Sequence, residues 1–196
     1  MATLAEQARH LKPRPGRLPR LILVTDAERL PDPRAAIARL AVGSALIFRH
    51  YGVAVRTALA LDLAKICRAR RLRLLIAGDL SLALRCGAGL HLPEAMAREP
   101  AAKIRLWHRQ TGRLLTVAAH GRAALVRARG ADAALLSPVF TTASHPDARS
   151  LGPLAFRRLV RNARLPVYAL GGINARTIRH LKGSGAAGAA ALAGFG

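Results

Sequence analysis

The 196-residue sequence predicts a (β/α)8 barrel of the α/β class without the usual C-terminal helix, and three observations carry that expectation. Eight short runs of Val, Ile, Leu and Ala punctuate the chain, as buried parallel strands do. Longer stretches with apolar residues at every third or fourth position separate them, the pattern of helices that cover such a sheet. The runs begin 16 to 33 residues apart, which suits consecutive strand–helix repeats. Eight parallel strands with right-handed crossovers close most simply into a barrel. A doubly wound open sheet is the alternative.

In chain order the expected strands are residues 21–25, 44–48, 72–77, 88–92, 114–118, 133–136, 166–170 and 188–192. The helical segments between them include residues 33–42, 53–71, 122–129, 153–161 and 175–182. The expected eighth strand lies close to Gly196, so a helix after it is not expected to cover the seam with the first. A helix at 2–11, with Leu4, Ala8 and Leu11 on one face, is expected to lie across that seam on a Pro-containing connector at 12–19. The domain plan is therefore an N-terminal helix and basic connector over 1–20, followed by the barrel over 21–196. A second copy of the chain is the other way to hide the seam, which makes a homodimer an expectation.

Composition narrows the function classes. With 52% hydrophobic residues and a mean hydropathy of +0.19, the chain is set for one buried core. No apolar stretch approaches the roughly 20 residues that cross a bilayer, and no secretory h-region opens the chain. Cys67 and Cys86 stand apart with no CxxC or Cys/His cluster, which excludes a disulfide framework or structural zinc site and points to the reducing cytoplasm. The net charge of +22 invites a nucleic-acid partner. Yet 28 of the 32 basic residues are arginines, as in a compositional bias, and seven aromatic residues cannot build stacking platforms. No dedicated nucleic-acid role is expected.

In a barrel, chemistry belongs at the C-terminal ends of the strands. There the sequence places Thr25-Asp26, then Arg49, His50 and Tyr51, then Gly78-Asp79, His91 and Glu94, and His120-Gly121. A long segment without regular structure, from Ser137 to Gly152, suggests a lid or binding loop after strand six. Strand seven ends in Gly171-Gly172-Ile173-Asn174, and strand eight in Leu192-Ala193-Gly194. Two glycines between a strand and a helix start let backbone N–H groups approach an anion, and the loops after strands seven and eight are where such barrels seat a phosphate. The plainer alternative is a tight turn. In the same way Asp79 could be a helix N-cap, Arg49 could pair with a rim carboxylate, and each histidine could be solvated or packed.

Leu23-Val24-Thr25-Asp26, Gly130-Ala131-Asp132, Ser137-Pro138-Val139-Phe140-Thr141-Thr142, Pro146-Asp147-Ala148, Leu151-Gly152 and Pro166 through Asn174 resemble the thiamine-phosphate synthases and their thiazole tautomerase relatives. The likeness runs in order from Leu21 to Gly194. It implies a TIM barrel that joins hydroxymethylpyrimidine diphosphate to thiazole phosphate with magnesium, in thiamine biosynthesis, releasing pyrophosphate. By the same resemblance Arg49 stands at a pyrophosphate-binding arginine, with Ile47 and Tyr51 where a glutamine and a lysine are usual. Asp79 matches the first magnesium aspartate, preceded by Gly78 instead of asparagine. Met96 stands near the second, with Glu94 as the nearby carboxylate. Thr142 and Ser144 match phosphate-binding hydroxyls, His145 replaces a lysine, and Ala118 and Ala193 replace serines.

The site residues expected on this basis are Arg49, His120 and His145 for catalysis. Thr142, Ser144, Gly171, Gly172, Ala193 and Gly194 are expected to bind substrate and phosphate, and Asp79 and Glu94 to bind magnesium. Phosphorylated thiazole and pyrimidine compounds are the expected ligands. Two alternatives stand beside the synthase: a tautomerase working through a rim histidine, and a catalytically silent protein that binds thiazole or thiamine phosphate.

Overall fold

The structure, a computed structural model, describes residues 4, 8, 11, 18–97, 102–142 and 149–192. Eight strands form it: β1 (Leu21–Val24), β2 (Ala45–Phe48), β3 (Arg73–Ala77), β4 (Gly89–Leu92), β5 (Leu115–Ala119), β6 (Ala133–Leu136), β7 (Val167–Ala169) and β8 (Gly188–Leu192). All neighbours are parallel, and β1 pairs with β8 to close the barrel. Every expected strand is present and the open-sheet alternative is excluded. Closure removes the edges that an open sheet would leave unpaired.

Between the strands lie α1 (Arg34–Ala38), α2 (Arg56–Ala69), α3 (Leu80–Cys86), α4 (Glu94–Ala97), α5 (Ala102–Thr111), α6 (Arg122–Arg127) and α7 (Gly152–Asn162). Several are shorter than their periodicity predicts. The segment expected as a helix at 33–42 stops at Ala38 because the chain must turn through Gly43, at φ +82°, into β2. The one expected at 175–182 is a 3-10 turn, Thr177–Leu181, fixed by Asn174 Oδ1, which accepts from the amides of Arg176 and Thr177.

Side chains alternate between two apolar layers. Ile22, Val24, Ala45, Ile47, Leu75, Ala77, Ala133, Leu135 and Tyr168 fill the barrel interior, while Leu23, Leu46, Phe48, Ile76, Leu90 and Phe156 pack between strands and helices. The interior is rich in alanine, and the buried Tyr168 ring takes up the space this leaves. Its hydroxyl donates to the Pro19 carbonyl. Leu4 and Ala8 are helical, and Leu4, Ala8 and Leu11 are buried in the same outer layer as Leu21, Leu23, Ala189 and Ala191. The rest of 2–11, and residues 12–17 of the connector, lie outside the described residues.

Candidate active site

Loop six and the turn after β7 are built as one unit. Val139 and Phe140 donate their N–H groups to the Leu170 and Gly171 carbonyls at 2.9 and 3.1 Å, and Leu151 and Gly152 return to the Pro138 and Val139 carbonyls at 3.0 and 2.9 Å. The chain then crosses the glycines too closely for any side chain. A Cβ on Gly171 would lie 2.8 Å from Pro138 Cα, and one on Gly172 would lie 2.6 Å from the Thr141 carbonyl oxygen. Both glycines also have positive φ, +91° and +63°. The loop-six residue that approaches the turn is Thr141, through its carbonyl, and Thr142 follows it in the chain.

The Gly172 carbonyl accepts from Thr177 Oγ1 at 2.7 Å. Among the described residues no protein acceptor takes the Gly171 or Gly172 N–H, so this backbone can receive an anion. Ser144, His145, Ala193 and Gly194 lie outside the described residues.

Alternation along β2 sets Ile47 and then Arg49 on the inner side of the barrel. The Arg49 guanidinium is half-buried and has no carboxylate partner among the described residues. Its neighbour His50 is not a rim acid or base. His50 is 2% exposed and stacks on Phe48 at 4.7 Å, and its Nε2 lies 3.2 Å from the Pro31 carbonyl. A carbonyl only accepts, so Nε2 carries the proton and Nδ1 accepts from the Thr25 hydroxyl at 3.0 Å. That hydroxyl in turn accepts the Arg49 N–H at 3.1 Å. His50 thus supports the start of the loop that carries Arg49.

Deeper in the barrel His91 and Thr116 face one another across β4 and β5, with Nδ1 and Oγ1 2.9 Å apart. Burial, and then the Arg49 charge, push His91 down to about 3. The imidazole is therefore neutral at any working pH.

The two carboxylates expected to hold magnesium are already engaged. Asp79 caps α3, with Oδ1 accepting from the Leu82 N–H at 2.9 Å, and its Oδ2 accepts from Arg56 Nη1 at 3.1 Å. Glu94 Oε2 accepts from the His120 N–H at 3.0 Å and lies 2.6 Å from His120 Nδ1, while Oε1 accepts from Arg127 Nη2 at 3.2 Å. Burial opposes the charged form of Glu94, but the His120 hydrogen bonds and the His120 and Arg127 charges outweigh it and hold the carboxyl below its ordinary value. Met96, a thioether, offers a hard cation nothing. No group of three or more His, Cys, Asp or Glu side chains among the described residues is placed to hold a metal ion. Magnesium requires near-octahedral oxygen ligands, and these residues do not fit a chain-held ion.

Sequence reasoning missed Arg56. A cation opening a helix is opposed by the macrodipole unless something else holds it, and that was the available signal. The missing partners were Asp79 and the Ala77 carbonyl, which accepts from Arg56 Nη2 at 2.8 Å.

A sequence model of the family described as thiamine monophosphate synthase matches residues 21–195. A relative from Aquifex aeolicus is 34% identical over 119 residues, covering 60% of this chain and 61% of that protein, so the chain spans about three-fifths of this relative's length. The thiamine-phosphate synthase of Chloroflexus aurantiacus is 30% identical over 188 residues, covering 88% of this chain and 83% of its own. Among solved structures, thiamine phosphate pyrophosphorylase from Pyrococcus furiosus superposes with a TM-score of 0.72 at 22% identity, covering 90% of this chain and 86% of that one. At that identity the likeness shows the fold.

Proposed function

We propose, on the premise that this chain belongs to the thiamine monophosphate synthase family, that it is a transferase of thiamine biosynthesis joining hydroxymethylpyrimidine diphosphate to thiazole phosphate. In that reaction the bond from the pyrimidine methylene carbon to the diphosphate oxygen breaks, and its electron pair leaves with pyrophosphate. The thiazole nitrogen lone pair forms the new C–N bond. The observation that carries this reading is the Gly171-Gly172 turn, whose amides have no acceptor among the described residues and which is clasped by the loop-six segment that leads to Thr142. These groups hold the thiazole phosphate, while Arg49, with no carboxylate partner among the described residues, meets the charge that develops on the leaving diphosphate.

The test incubates the purified chain with both substrates and follows thiamine phosphate by fluorescence after oxidation. Product formation above the protein-free rate is expected, together with a rise in Tm on adding thiazole phosphate alone. Stabilisation by thiazole phosphate without product would overturn the transferase assignment.

A second reading is favoured by the Glu94–His120 pair. A carboxylate 2.6 Å from Nδ1 fixes the proton there and leaves Nε2 as a base at the rim. Such a group suits proton transfer on a phosphate-anchored thiazole, the tautomerase reaction, and Glu94→Gln would lower its rate about 10- to 100-fold.

The cytoplasm is the compartment this activity implies, and no helix among the described residues is long and apolar enough to cross a membrane. A homodimer is part of the proposal, supported by exposed Leu106, Val126 and Leu154 on three successive helices, α5 to α7. Light scattering on the eluted protein tests it.

A further inference from the structure

Six residues at the ends of β2, β3 and β4 form a compact group that the magnesium expectation leaves unexplained. The Arg56 guanidinium sits on Asp79 Oδ2 and on the Ala77 carbonyl, and lies 5.5 Å from the Tyr51 ring centroid. Its side chain is 17% exposed. Tyr51 in turn covers Gly78. A Cβ at Gly78 would stand at contact distance from two side chains, 3.4 Å from Tyr51 Cε1 and 3.7 Å from Met96 Sδ. The ground beside Gly78 is thus lined by the Tyr51 ring and the Met96 thioether, both partly exposed. Burial lifts the Tyr51 phenol above its ordinary value against the pull of the Arg49 and Arg56 charges.

We propose that the cation of this subsite is built into the chain: Arg56, seated on Asp79, stands in place of a divalent ion, and a phosphate or diphosphate group binds through Arg49 and the Tyr51 hydroxyl without magnesium. A guanidinium suits this task. It is always charged and matches phosphate oxygens through paired donors, whereas a magnesium ion needs several oxygens, and here Met96 supplies none while both Asp79 oxygens are engaged by the Leu82 N–H and Arg56. The inference deepens the function proposed above by naming how its diphosphate end is held, but it concerns binding and can be tested apart from turnover.

The probe is inorganic pyrophosphate, titrated calorimetrically into the whole chain at fixed ionic strength, with either magnesium or EDTA present. The dissociation constant is expected to agree within about twofold in the two conditions, and Arg49→Met is expected to weaken binding about tenfold or more. The decisive variant is Asp79→Asn, which keeps the helix cap but removes the carboxylate that occupies Arg56. A magnesium ligand lost in this way would weaken binding, whereas a freed Arg56 is expected to tighten it about fivefold.

Binding only with magnesium, loss of binding in Asp79→Asn, or no binding in either condition would each overturn the inference. So would binding that survives Arg49→Met, since that is general attraction to a +22 surface. EDTA-insensitive, Arg49-dependent binding without thiamine phosphate formation would uphold this inference while removing the transferase assignment.

Discussion

A single methyl group tests the turn after β7. In Gly172→Ala the new carbon would meet the Thr141 oxygen at 2.6 Å and Phe140 Cβ at 2.7 Å, at a φ of +63° that alanine adopts with strain. Loop six must move away, and with it Thr142. A loss of about 2–4 kcal/mol in unfolding free energy is expected, measured by urea titration, with thiazole phosphate binding weakened about 100-fold. His91 offers the opposite kind of test, through pH. Its folded value of about 3 lies below the ordinary 6.5, so protonation favours the unfolded chain. Its contribution is complete above about pH 6.5 and is lost as pH falls towards 3, by an amount of a few kcal/mol. Urea midpoints between pH 7 and pH 4 are expected to fall more steeply in the native chain than in His91→Gln; parallel slopes would contradict the burial account. The placement of Gly171, Gly172 and Arg49 just past strand ends was legible in the sequence because strand ends and glycine pairs are local features. The partners of Asp79 and Glu94 were not, since Arg56 and His120 come from other elements and only the closed barrel brings them within hydrogen-bond reach.

At the scale of elements, the strands were more legible than the helices, for a physical reason. The strands are buried on both faces almost throughout, and β1, β2 and β6 read as continuous apolar runs, while β3, β4 and β5 each carry one polar residue, Arg73, His91 and Thr116. Helix α5 buries only Ile104 and Trp107 of ten residues, so its period is faint in the sequence. The turn at Thr177–Leu181 shows the apolar spacing of a helix, but Asn174 and Thr177 satisfy the backbone locally and hold it at 3-10 geometry. The start of β8 is the most demanding contact among the strands. A Cβ on Gly188 would lie 2.3 Å from the Arg20 carbonyl oxygen and 2.7 Å from Tyr168 Cε1, where β8 meets both β7 and the chain entering β1. Gly188→Ala must therefore part the closing seam or eject the Tyr168 ring, and a loss of about 3 kcal/mol or more is expected. Near-UV circular dichroism, which reports the packing of tyrosine and tryptophan rings, would show the displacement at temperatures where the barrel is still folded. An unchanged spectrum and midpoint would mean that the seam yields more easily than the packed interior suggests.

The whole molecule carries 32 basic and 10 acidic residues, and its acids are largely committed to local work. Asp26 accepts the backbone amides of Glu28 and Arg29, Asp32 and Asp62 share Arg34, Asp79 holds Arg56, and Asp132 joins the Leu115 N–H to His108. Ten carboxylates cannot neutralise this surface, so the folded state gathers like charges that the unfolded chain spreads apart. Screening should therefore favour folding. Raising sodium chloride from a few millimolar to about 0.15 M, where the Debye length is about 8 Å, is expected to raise Tm by about 3–6 °C. The same salt is expected to weaken any anion at Arg49, so stability and pyrophosphate affinity move in opposite directions. The two effects separate by substitution. Arg49→Met removes a ligand contact but little of the total charge, so its Tm is expected to climb with salt as the native chain's does while its pyrophosphate affinity is already low at a few millimolar salt. A Tm that stays flat or falls with salt would mean that the arginines are arranged in net-attractive pairs, and the excess charge would then be a structural device instead of a load the barrel tolerates.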